Sequence, residues 1–78
     1  MDDWKERLKA EYAQTKERYE NLKAWNNKQD VQRNLYGATC KVEDDYNRKL
    51  CHEQQHIMGE YLHVMELRAE LFSIELKP

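Results

Sequence analysis

Residues 51–65 read CHEQQHIMGEYLHVM, and the choice between two readings of this stretch decides the fold. His52-Glu53-Gln54-Gln55-His56 spells H-E-x-x-H, in which two histidines four apart on a helix reach one zinc and the glutamate acts as general base. A catalytic zinc needs a third protein ligand. In the extended pattern H-E-x-x-H-x-x-G-x-x-H, the glycine breaks the helix and the last histidine returns to the metal. Gly59 is in register, but position 62 is Leu and His63 comes one residue late. On an unbroken helix His63 lies about 10 Å along the axis from His56, too far to share the ion. Glu60, four residues after His56, is left as the candidate third ligand. A protease of this type also needs a substrate-aligning strand and a walled cleft, and nothing here signals a strand. The stretch therefore reads as helix surface and its zinc signature as a decoy. No catalytic residue and no cofactor is expected, and any metal held by His52, His56 and Glu60 is adventitious.

Composition agrees with long helices. The chain has 78 residues, enough for one domain with a small core. Charged residues make up 36% of it, and Gly and Pro together number three, a balance that belongs to exposed helices rather than to a sheet protein. Thirteen basic against fifteen acidic residues leave no positive excess for duplex DNA. No apolar run approaches the roughly 18 residues of a membrane span. Cys40 and Cys51 sit in no metal-type spacing, and the opening MDDWKERLKAEY is no secretory signal. A cytoplasmic protein with reduced thiols is expected.

Working outward from residues 51–65, the chain divides into two helices and a turn, forming a single helical-hairpin domain over residues 1–78. Asp3 followed by Glu6 predicts a capping box for a first helix over about 3–25. Leu8, Tyr12, Thr15, Tyr19, Leu22 and Asn26 alternate by fours and threes, a seam for a partner helix flanked by Trp4 and Trp25. NNKQD, residues 26–30, is the expected weak point; Val31 and Leu35 beyond it can continue as a short extra turn within a turn region to about 41, with YGATC (36–40) as the reversal. The second helix is expected over about 42–74. Glu43, Asp44 and Asp45 fall in its first turn, and Asp44–Arg48 and Asp45–Lys49 form favourably ordered i,i+4 pairs.

That second helix is apolar on too many sides for one partner. One stripe is Ile57, Tyr61, Val64 and Leu71, with Arg68 in line. Another is Met58, Leu62, Met65, Ala69, Phe72 and Leu76, with Leu67 and Ile74 on the flank. One partner helix covers only one stripe, and two helices alone bury too little to offset their ordering entropy. The expected fold is all-α: two long antiparallel helices in a hairpin, assembling with further copies into an oligomeric bundle. Gly59 fits a close helix crossing or an exposed site at slight cost. Arg68 either packs its stem and turns its head to Glu66, Glu70 or a carboxylate of the first helix, or holds a guanidinium near a subunit boundary where it can fork onto a phosphate. Tyr12, Tyr19, Tyr46 and Tyr61 offer faces for a stacked base, or serve as half-buried core.

The segment from ERYENL (17–22) through the turn to EQQHIMGEYLHVMELRAELFSIEL (53–76) resembles small phage-encoded hairpin proteins. Those carry a Gln, then Met-Gly-x-Tyr-Leu, then Arg-Ala, then a short apolar tail; here these are Gln54, Met58-Gly59, Tyr61-Leu62, Arg68-Ala69 and Ile74 to Leu76. The layout is similar to the hairpin of phage anti-CBASS and anti-Thoeris sponge proteins. The resemblance implies a non-enzymatic oligomer that sequesters a small anionic nucleotide signal, a cyclic nucleotide, between subunits in the host cytoplasm. It carries Arg68 over as the position with chemical content, and Tyr61 and Tyr12 complete the candidate ligand-binding set. Two alternatives stand beside it: a phage protein that inhibits a host defence enzyme by direct binding, and a structural coiled-coil adaptor.

Overall fold

The computed structural model describes residues 3–37 and 42–76. Two helices, α1 (Trp4–Tyr36) and α2 (Val42–Leu71), pack along their length as an antiparallel hairpin measuring 54 × 20 × 16 Å. The described residues contain no strand. The seam read from α1 is the one buried: Leu8, Tyr12, Thr15 and Asn26 lie inside, with Tyr19 and Leu22 half-buried between them. From α2, the Met58–Leu62–Met65–Ala69 stripe meets it, and Leu8, Tyr12, Leu62, Met65 and Ala69 form the core. The other α2 stripe faces solvent.

The first helix does not stop near Trp25; it runs through NNKQD to Tyr36. Asparagine is a weak helix former because its side chain competes for backbone groups, but Asn26 has better partners across the hairpin. Its Nδ2 donates to the Gln55 Oε1 at 2.8 Å and to the Cys51 carbonyl at 3.2 Å. Four residues on, Asp30 accepts from Arg48 Nη2 and lies 3.0 Å from His52 Nε2. Arg33 then pairs with Asp45. These cross-hairpin bonds hold the weak stretch helical, and they also replace the expected Asp44–Arg48 and Asp45–Lys49 pairs, since Arg48 and Asp45 spend their charge on α1 instead.

Both helix ends differ from expectation in detail. The capping box at Asp3 does not form. Its side chain makes no cap hydrogen bond, while its carbonyl accepts from Glu6 and Arg7 N–H at 2.9 and 3.1 Å. Gly37 closes α1 at φ 80°, where a side chain would be strained, and its N–H donates to the Arg33 carbonyl. The rest of the expected reversal, residues 38–41 with Cys40, lies outside the described residues. The second helix ends at Leu71 rather than near residue 74. Ser73 N–H donates to Glu70 and Ile74 N–H to Ala69, with Ser73 at φ 54°, a Schellman ending that uses serine where glycine is usual. The chain then turns Ile74 and Leu76 back onto the core.

Candidate functional site

Helical geometry gives the hairpin two unlike flanks. At 100° per residue, Tyr61 and Glu66 project from α2 about 140° apart, on either side of the α1 contact. On one flank the Tyr61 hydroxyl donates to Glu11 Oε1 at 3.4 Å; on the other the Tyr12 hydroxyl donates to Glu66 Oε2 at 2.6 Å. The three residues singled out from sequence therefore do not converge. Arg68 and Tyr61 share the first flank, one heptad apart, with Gln54 a further heptad back. Tyr12 is core, and the Glu66 hydrogen bond, with burial and the same carboxylate's charge, raises its pKa to about 12.

Arg68 takes none of the expected carboxylates, neither Glu66 nor Glu70 nor one on α1. Its guanidinium lies 5.6 Å from the centre of the Trp4 ring, and Trp4 meets Phe72 edge to face at 5.1 Å and 79°. Lys5 Nζ sits 5.9 Å from the same ring. Among the described residues no carboxylate pairs with Arg68. An indole holds a guanidinium by cation–π attraction and leaves its N–H edges free for an anion. Two cations and two aromatic rings thus share the open end of the hairpin, with Phe72 and Tyr61 each well exposed. Trp4, Lys5 and Phe72 were absent from the sequence-based site. The signal that locates them is pairing arithmetic: an antiparallel hairpin that sets Glu11 beside Tyr61 sets Trp4, seven residues back, beside Arg68, seven residues on.

The second flank carries a groove of about 580 Å³ between the helices and the returning tail. Its floor is apolar, from Tyr12, Ala69 and Ile74. Its rim sets five carboxylates (Glu17, Glu20, Glu66, Glu70 and Glu75) against one ammonium, Lys16. That charge repels a phosphate.

The histidines face separate neighbours. His52 turns to Asp30 on α1, while His56 Nε2 lies 3.7 Å from Glu60 Oε1 with both side chains exposed. The described residues contain no group of three or more His, Cys, Asp or Glu placed to hold a metal ion. No helix among them is long and apolar enough to cross a membrane. Compared with known proteins, residues 2–71 match the model of one protein family, Sequestin, whereas no curated protein and no solved structure matches.

Proposed function

The chain belongs to the Sequestin family, and from that membership and the Arg68 platform we propose that it sequesters a small anionic nucleotide signal without altering it. The family name denotes sequestration, which asks for affinity and no chemistry. The observation that carries the nucleotide reading is the Arg68 guanidinium, held on Trp4 with its hydrogen-bonding edge uncommitted to any carboxylate of the described residues. A planar fork matches a phosphate with two parallel charge-assisted hydrogen bonds, and Lys5 adds charge beside it. The exposed faces of Phe72 and Tyr61 supply stacking surface for a base. Following the resemblance to phage sponge proteins, the role is counter-defence: subunits of the hairpin remove a host immune signal from the cytoplasm.

The test is a thermal-shift screen against cyclic dinucleotides, cyclic trinucleotides and cyclised ADP-ribose, followed by recovery of the bound compound after denaturation. Saturation at 100 times Kd stabilises by about 2.7 kcal/mol. A large shift with one compound, recovered unchanged, is the expected result. A recovered product of altered mass overturns sequestration, and the absence of any shift overturns the nucleotide reading. The acid-rimmed apolar groove favours a second reading, inhibition of a host defence enzyme through a basic segment. That reading predicts a co-purifying protein and indifference to nucleotides.

A further inference from the structure

The exposed face of α2 carries a regular pattern that the hairpin itself leaves unused. Leu50, Ile57, Val64 and Leu71 recur at every seventh residue, and all four are exposed: 42, 59, 50 and 75%. A strict heptad of aliphatic residues is the seam of a coiled coil, and this one lies about 120° around α2 from the stripe that packs on α1. Only five apolar side chains are buried within the described hairpin. Such a core is too small to offset the ordering of two long helices, so further burial is required.

We infer that this face pairs with a second copy of the same chain, α2 against α2, running antiparallel about a two-fold axis between residues 60 and 61. An isologous contact requires that if residue i meets j, then j meets i. The heptad satisfies this when Leu50 meets the second copy's Leu71 and Ile57 meets its Val64. The same register settles the edges. Lys49 falls beside the second copy's Glu70, an opposite-charge pair formed twice by symmetry. A parallel pairing instead sets both Glu53 and Glu60 against their own copies at seam positions, where like charges are costly. The antiparallel pairing leaves only Glu60 near its own copy, and there His56 lies 3.7 Å away within the same chain.

On the other edge of the seam, Gln54, Tyr61 and Arg68 also recur by sevens. The antiparallel register therefore places Gln54 of one copy beside Arg68 of the other, and the two Tyr61 side chains next to each other at the axis. The Arg68 platform is thus completed by the second copy, which contributes an amide and an aromatic edge. The pairing itself does not depend on the nucleotide reading, and its test uses no nucleotide.

Chains carrying Leu50→Cys and Leu71→Cys are prepared separately in a Cys40→Ser, Cys51→Ser background and treated with a short bismaleimide, alone and mixed. The same is done with Gln54→Cys and Arg68→Cys. Crosslinked dimer in the mixtures and not in either chain alone is the expected result. Crosslinking of each chain to itself shows a parallel pairing and overturns the inference, as does no crosslinking in any sample. In sedimentation, the unmodified chain should be associated at tens of micromolar, and Ile57→Lys should be monomeric with its helical circular dichroism kept. An unmodified chain that stays monomeric overturns the pairing and gives the face to a different protein. Should Ile57→Lys unfold, the crosslinking pattern alone decides.

Discussion

Replacing Asn26 by Ala tests whether the long first helix is held by its cross-hairpin bonds. Asn26 is 1% exposed, and its Nδ2 serves two acceptors on α2, the Gln55 side chain and the Cys51 carbonyl. A neutral hydrogen bond contributes about 0.5–1.5 kcal/mol net, so two removed together cost about 2 kcal/mol. Alanine's better helix propensity returns a few tenths, roughly balanced by the small void that truncation leaves. For a domain of this size each kcal/mol moves Tm by about 4–8 °C, which predicts a fall of about 8–16 °C. Melting should be followed by circular dichroism at one fixed protein concentration, because self-association couples to stability. A cycle with Gln55→Ala isolates the pair, and its coupling should be at least about 0.5 kcal/mol. A cost under about 0.5 kcal/mol, or strict additivity with Gln55→Ala, would refute the account of why α1 passes through NNKQD unbroken.

Further substitutions and a pH series test other parts of the structure. A Cβ at Gly59 would stand 3.3 Å from Tyr19 Cε1, so Gly59→Ala should gain about 1 kcal/mol of helix propensity and lose much of it in displacing that ring. A net change within about 0.5 kcal/mol in chemical denaturation is expected, with Gly59→Leu clearly destabilising. Ser73→Gly should raise stability by about 1 kcal/mol, since Ser73 holds φ 54° at the end of α2; an unchanged melting curve would contradict the strain assigned there. The Asp30 carboxyl is held below its ordinary 3.8, first by the His52 hydrogen bond and then by Arg48. With the folded value below the unfolded one, its contribution is complete above that ordinary value and is lost as pH falls through the depressed one. Urea midpoints should therefore drop on acidification below about pH 4, and Asp30→Asn should flatten that part of the curve.

What the sequence disclosed and what it hid differ by the range of the interactions involved. The seam residues Leu8, Tyr12 and Thr15, and the answering Leu62, Met65 and Ala69, follow from periodicity alone, because burial selects one face of a helix whatever its partner is. The continuity of α1 through Asn26 was hidden, because local propensity speaks against it and the compensating acceptors lie 25 and 29 residues further along. Arg48 and Asp45 were assigned to neighbours one turn away for the same reason, and tertiary partners took them. The zinc signature is helix surface with its histidines turned to separate carboxylates, one of them on α1. Arg68 was legible as a cation on an apolar stripe. Its partner Trp4, at the far end of the chain, becomes visible only once the antiparallel register is fixed.

The central claim is that Arg68 forks onto the phosphate of a sequestered nucleotide, and calorimetric titration of the unmodified chain, Arg68→Ala and Arg68→Lys tests it most directly. Each is titrated with the compound that gives the largest thermal shift. Hydrogen bonds to charged groups contribute about 1.5–3 kcal/mol, so Arg68→Ala should weaken binding about ten- to a hundredfold. Arg68→Lys, which keeps the charge and loses the fork, should fall between the two, and both variants should keep the helical content and assembly of the unmodified chain. Undiminished affinity in Arg68→Ala, or no binding by the unmodified chain to any nucleotide of the panel, would contradict the account.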